Sequence, residues 1–229
     1  MTDAEIRTRL QDRLQAIEER IVGACQRAGR ARSEVTLVAV TKTVSSRIAG
    51  LLPELGILDL GESRPQELWK KAKDLAGLGL RWHQIGHLQR NKIKPTVDLT
   101  WLIHSVDSVR LLDALNRETK QILPILLEVN ASREANKHGF APSEIDDVAL
   151  TLAKFANIRV DGLMTMAAHV DDPEQARRTF QEIRKLRDTY GWKHLSMGMS
   201  NDFEVAIEEG ATLIRPGSIL FEGLEPLAA

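Results

Sequence analysis

The chain opens with a segment whose apolar residues return every three or four positions. Ile6, Leu10, Leu14, Ile17, Ile21 and Cys25 keep that spacing, which predicts an amphipathic helix. Thr2 followed by Glu5 makes a capping-box pattern at its start, and Gly29 stands near its end. The pattern then changes to short apolar runs at 35–40, 57–60, 82–85, 100–104, 122–129, 158–163, 194–197 and 212–214. Stretches with helical period or helix-start chemistry separate them. Asp107 reads as a cap ahead of Val109, Leu112 and Leu115, and Pro142 and Pro173 stand where a first helical turn tolerates proline. Eight strand–helix units in succession, with no linker, composition shift or low-complexity segment, predict a parallel sheet. Eight is also the number that closes a (β/α)8 TIM barrel, with a doubly wound open sheet as the rival. The expectation is a single α/β barrel domain over residues 1–229, residues 1–30 packing on it as an extra N-terminal helix.

Composition narrows the setting. With 229 residues, 43% of them hydrophobic, the chain can bury a sizeable core. Lysine and arginine number 31 against 32 acids, so no basic surplus marks a nucleic-acid or membrane surface. The four tryptophans stand singly and make no stacking platform for bases. "RRTFQEIRKLR" reads as a solvated helix face of four-spaced charge pairs. One cysteine, Cys25, excludes a disulfide within the chain and points to a reducing, cytoplasmic setting. The start "MTDAEIRTRL" is no signal peptide, and no apolar run approaches the roughly 20 residues that span a bilayer. A barrel with its first helix on the outside is expected as a monomer.

In such a barrel the chemistry gathers at the carboxyl ends of the strands. Lys42 follows the first strand, "GES" (61–63) the second, and His83 with "GHLQRNK" ends the third. His104 ends the fourth, Asn130 the fifth, Met164 and Thr165 the sixth, "SMGMS" the seventh and "RPGS" the eighth. A lysine at the mouth either attracts an anion or, as a free amine, condenses with a carbonyl to a Schiff base. "HLSMGMSND" and "TLIRPGSILFEG" supply small-residue turns where phosphate binds in these barrels, after strands seven and eight. Gly198, Ser200, Gly217 and Ser218 fit that use, with backbone N–H groups and hydroxyls as donors. Arg215 reads either as half of a structural ion pair or as a group aimed into the mouth. Lysine, arginine and phosphate cup together suit a phosphorylated aromatic aldehyde, pyridoxal phosphate.

"VAVTK", "GESRPQE", "WHQIGHLQRNK", "HSVD", "LLEVNASREANKHGF", "GLMTM", "LSMGMSND" and "IRPGSILFEG" occur in order from about residue 35 to 223. In these blocks the sequence resembles the pyridoxal phosphate homeostasis proteins, small barrels related to the barrel domain of alanine racemase (fold type III). The resemblance implies that Lys42 carries pyridoxal 5'-phosphate as a Schiff base. It implies that Ser200, Gly217 and Ser218 bind the phosphate and that Arg215 faces the pyridine nitrogen. His83, Ser63, Gly198 and Met199 are further expected around the cofactor. The chain departs from the family pattern at Val44, where a second lysine is common, and at Ser63 and Arg64, where asparagine and an aromatic are common.

An arginine against the ring nitrogen leaves that nitrogen unprotonated and weakens the ring as an electron sink. The tyrosine acid/base of the related racemases comes from a separate β-domain, which is not expected here, and Tyr190 is expected on the wrong side of the barrel. The resemblance therefore implies intracellular buffering and delivery of the cofactor, with transient contact to apoenzymes that use it and no substantial turnover. The alternatives are a minimal amino-acid racemase and a cofactor-free Schiff-base aldolase. His83 and His87 would share a face only on a helix, and "WHQIG" reads as a strand, so no metal is expected. Glu134 and Lys137 read as a solvated loop.

Overall fold

The computed structural model describes residues 1–132, 138–168 and 170–224. Among them run nine short strands, all parallel: β1 Thr36–Leu37, β2 Ala39–Val40, β3 Asp59–Glu62, β4 Arg81–Gln84, β5 Leu102–Val106, β6 Leu123–Glu128, β7 Ile158–Met164, β8 His194–Ser196 and β9 Leu213–Ile214. The helices are α1 Asp3–Arg27, α2 Ser46–Ala49, α3 Pro65–Asp74, α4 Ile93–Val97, α5 Val109–Glu118, α6 Ile145–Thr151, α7 Arg177–Tyr190, α8 Phe203–Glu208 and α9 Ser218–Phe221. β1 and β2 are the two halves of the first apolar run. The half before Val38 pairs with β9 and the half after it pairs with β3. Backbone N–H groups of Thr36, Val38 and Val40 donate to Thr212, Ile214 and Pro216, while Thr41 N–H donates to Gly61. The sheet therefore closes on itself as a TIM barrel. The open-sheet alternative would leave an unpaired edge that this arrangement does not have.

The wholly apolar first run follows from burial on both faces. Val35, Leu37 and Ala39 join the large cluster between strands and helices, whereas Val38 joins a second cluster with Leu102, Leu126, Met164 and Leu213. Side chains alternate along each strand, so this smaller cluster is the filling of the barrel. Two strands run further than their apolar runs suggest. β3 continues through Gly61 and Glu62 and β5 through Ser105 and Val106, and Glu62 and Ser105 end buried on hydrogen-bond partners, Lys71 and Gly86 O. The cap of α5 is Ser108, whose Oγ accepts from Leu111 N at 3.3 Å, and not Asp107. The capping box of Thr2 and Glu5 and the prolines at 142 and 173 stand where the pattern put them.

α1 lies across α8 and α9. Arg20 meets Glu204 at 2.7 Å and stacks over Phe203, Arg27 meets Glu208 at 2.6 Å, and Arg13 donates to Leu220 O at 3.1 Å. These two helices open at the loops after β8 and β9, so the first helix braces the region expected to hold phosphate. Among the described residues no helix is long and apolar enough to cross a membrane.

A polar string crosses the barrel interior. Arg81 grips Asp59 with two hydrogen bonds, and Asp59 Oδ1 lies 3.0 Å from His83 Nε2. His83 Nδ1 lies 2.8 Å from His104 Nε2, and His104 Nδ1 lies 2.8 Å from Ser196 Oγ. Ser196 Oγ in turn accepts from Arg215 Nη1. Its two ends have fixed roles, since arginine only donates and an ionised carboxylate only accepts. The string thus runs from a carboxylate that accepts, through two imidazoles and a hydroxyl, to an arginine that donates. Burial, reinforced by the neighbouring His83 and Arg215, holds His104 well below the ordinary histidine range.

Burial alone would raise the Asp59 carboxyl, but hydrogen bonds from Arg81 and His83 outweigh it and bring its pKa to about 2. A folded-state value below the unfolded one stabilises the fold above about pH 4, and that contribution disappears as pH falls through about 2. Asp59→Asn is expected to cost about 2 kcal/mol at pH 7 and to flatten the acid limb between pH 4 and 2. Urea denaturation of both proteins across that range measures it, and parallel acid limbs would contradict it.

Candidate functional site

Lys42 stands two residues beyond β2, at the carboxyl end of the first strand run. Its backbone is held from below by a buried triad. Lys71 of α3, fully buried, donates to Thr41 O at 2.7 Å and to Glu62 Oε1 at 2.5 Å, and Thr41 Oγ1 donates to the same Glu62 oxygen at 2.6 Å. A charge pair this deep is costly to desolvate, and its hydrogen bonds to the strand end account for its retention. Lys71 did not figure in the sequence reading of the site, and Glu62 entered it only as the middle of the "GES" strand end. The available signal was Lys71 standing three residues after Leu68 on the buried face of α3. Val44, at a departure from the family pattern, closes the following turn by donating to Thr41 O at 3.1 Å and sinks into the core.

Across the mouth, the loops after β8 and β9 meet. Ser200 Oγ accepts from the backbone N–H of Gly217 at 3.2 Å and from that of Ile219 at 3.4 Å. Two N–H groups at the start of α9 thus converge on one acceptor, a geometry that also suits an anion oxygen. A Cβ on Gly217 would lie 3.3 Å from both Val40 Cβ and Val40 O, so the loop needs glycine to pass the first strand closely. Arg215 is buried and held at both ends of its guanidinium, with Nη1 on Ser196 Oγ and Nη2 on Thr165 O at 2.9 Å. Burial lowers its pKa to about 10, which still leaves it protonated at neutral pH.

These groups share one cavity of about 430 Å³. Lys42, Ser63, Met199, Ser200, Arg215, Gly217 and Ser218 all line it. Two expected residues do not. His83 points into the barrel, between Asp59 and His104, and reaches the cavity through Ser196 and Arg215 rather than by contact. As a mid-strand residue on an inward-facing position it lies a layer below the mouth. Gly198 turns the chain at φ +92°, where a Cβ would strike Ala206 at 2.7 Å, and its carbonyl accepts from Arg215 N at 2.8 Å. Its part is to let the loop pack on α8. Arg64 stands exposed ahead of α3 and does not line the cavity.

The remaining candidates sort out by position. Tyr190, the last residue of α7, hydrogen-bonds Asp146 of α6 on the outside of the barrel, and that bond raises its phenol to about 12. Glu134 and Lys137 lie outside the described residues. Glu128, at the end of β6, is buried, and burial together with nearby Asp107 pushes its carboxyl up to about 7. His87 does not join His83 but turns to Asp107 and His138 on the rim.

Comparison with known proteins places this geometry. Residues 13–225 match the family described as "Alanine racemase, N-terminal domain". The pyridoxal phosphate homeostasis protein of Aquifex aeolicus is 39% identical over 219 residues, covering 92% of this chain and 96% of that one. A protein of unknown function from Bifidobacterium adolescentis superposes with a TM-score of 0.89 at 34% identity, covering 96% and 97% of the two chains. PipY of Synechococcus elongatus, solved with PLP bound, superposes with a TM-score of 0.79 at 29% identity over 93% and 99%. The chain therefore belongs to the alanine racemase N-terminal domain family, on the branch of the pyridoxal phosphate homeostasis proteins.

Proposed function

We propose that this chain binds pyridoxal 5'-phosphate in the mouth cavity, with Lys42 as its covalent anchor. We further propose that it buffers and delivers the cofactor in the cytoplasm without substantial turnover. The observation that carries the reading is the sharing of one cavity by Lys42, Arg215 and the Ser200–Gly217–Ser218 cup. The names of the relatives and the ligand bound in PipY support it.

Each residue has a distinct part. The Lys42 amine would hold the cofactor through its aldehyde, the nucleophile that such an electrophilic carbonyl requires. Gly217 N–H and Ile219 N–H, which in this structure converge on Ser200 Oγ, are the donors for the phosphate. Arg215 is fixed by Ser196 and Thr165 and offers donors and no acceptor, so against the ring nitrogen it would leave that nitrogen unprotonated. The cofactor supplies electrophilic and electron-withdrawing chemistry, and an unprotonated ring supplies less of the second.

A lack of turnover rests on the proton inventory of the cavity lining. Among the described lining residues the ionisable side chains are Lys42, Asp202 and Arg215, with Asp202 accepting from Met199 N at 2.6 Å and Arg215 doubly held. Racemisation requires acid/base groups on both faces of a substrate, and Tyr190 is on the outer surface. The reading further expects a monomer that meets cofactor-dependent apoenzymes transiently.

Borohydride reduction of the cofactor-loaded protein, followed by digestion and mass spectrometry, is expected to find a pyridoxyl group on Lys42. Lys42→Ala is expected to lose the yellow absorbance, and its persistence would move the site elsewhere. Ser196→Ala removes a hydrogen bond to a charged donor, worth about 1.5 kcal/mol, so affinity should fall about tenfold with a shifted absorbance maximum. Unchanged binding and spectrum would separate Arg215 from the ring. Incubation with each L-amino acid is expected to yield no D-form above a cofactor-only control. Sustained enzymatic formation would favour the racemase reading instead.

A further inference from the structure

Three rim loops at the barrel mouth bring two imidazoles and a carboxylate together. His87 follows β4, Asp107 follows β5, and His138 precedes the bridge that pairs Phe140 with Val129 after β6. His87 Nδ1 lies 2.7 Å from Asp107 Oδ2, and His138 Nδ1 lies 3.9 Å from the same oxygen. One ligand atom from each residue lies within 4.8 Å of the other two. The two imidazole rings stack with centroids 4.3 Å apart and planes 16° from parallel.

A structural histidine–aspartate pair would need only one of these imidazoles. Here both turn the same nitrogen to one carboxylate oxygen. The Asp107 side chain is only 8% exposed, so water does little to screen its charge. Among the described residues, its partners at ion-pair distance are these two histidines, with no lysine or arginine. A cation placed between the three side chains would meet the carboxylate and both imidazoles at once.

Distances and donor chemistry fit such an ion. Metal–ligand bonds of about 2.0–2.2 Å place tetrahedral ligand atoms about 3.3 Å apart. The separations of 2.7 and 3.9 Å bracket that value. Ser108 Oγ donates to Asp107 Oδ1 at 3.1 Å, which orients the carboxylate with Oδ2 toward the histidines. Two imidazoles and one carboxylate suit zinc, cobalt or nickel and are poor ligands for magnesium or calcium. We propose that His87, Asp107 and His138 bind one divalent transition cation of the zinc class and thereby tie the loops after β4, β5 and β6 together. His87 and His138 are exposed, so the ion has direct access from water, which also fills the remaining position.

The test uses the untagged full chain, treated with chelator and then titrated with Co²⁺ in the spectrophotometer and with Zn²⁺ in the calorimeter. One equivalent of each is expected, the cobalt form showing visible d–d bands. His87→Ala and His138→Ala should each weaken binding at least tenfold. Both side chains are exposed, and thermal melts of the metal-free variants are expected to match the parent. Lys42→Ala should bind the metal unchanged, which separates this site from the cofactor cavity. No saturable binding, full affinity in both histidine variants, or loss of binding in Lys42→Ala would each overturn the proposal.

Discussion

Backbone hydrogen bonds from Thr36, Val38 and Val40 to the last strand, and from Thr41 to Gly61 of β3, make one short segment the closing stave of the barrel. Nearly everything of interest depends on that double pairing. It brings the lysine that follows the first strand beside the loop that follows the last, although some 170 residues of chain lie between them. Gly217 passes close against Val40 at this seam, so the proposed phosphate donors and the proposed covalent anchor are set by the same contact. The Lys71–Glu62 pair then pins the strand end from beneath, and α1 braces α8 and α9 from outside.

The second organising element is the polar string through the barrel. An apolar core would pack more cheaply than two histidines, a serine, an arginine and an aspartate. The string is tolerable because each described junction is within hydrogen-bond distance, between an arginine that can only donate and a carboxylate that only accepts. Its consequence at the mouth is an arginine with little freedom to move. Such a group is suited to holding a ring in one orientation and poorly suited to exchanging protons with it. The proposed storage of a reactive aldehyde would use the first property and be safer without the second.

Much of this was legible along the chain. The alternation of apolar runs with helical segments, the lysine after the first run and the small-residue turns after the last two are local features. They rest on strand and helix periodicity and on backbone freedom at glycine. So do the capping box of Thr2 and Glu5 and the helix-opening prolines at 142 and 173. The family resemblance extended that reading to Arg215, and the cavity lining contains it.

What the tertiary structure alone decided is which polar side chains meet. His83 reads locally as a mouth residue, yet its register in β4 turns it inward onto Asp59 and His104. Asp107 reads as a helix cap, yet Ser108 takes that place and Asp107 faces two histidines from other loops. Lys71 reads as one of many helix lysines, yet it is the buried partner of Glu62. These pairings depend on strand register and on how far each strand runs before its loop. Both are set by closing the sheet, which couples positions far apart in sequence, and local periodicity carries no information about them.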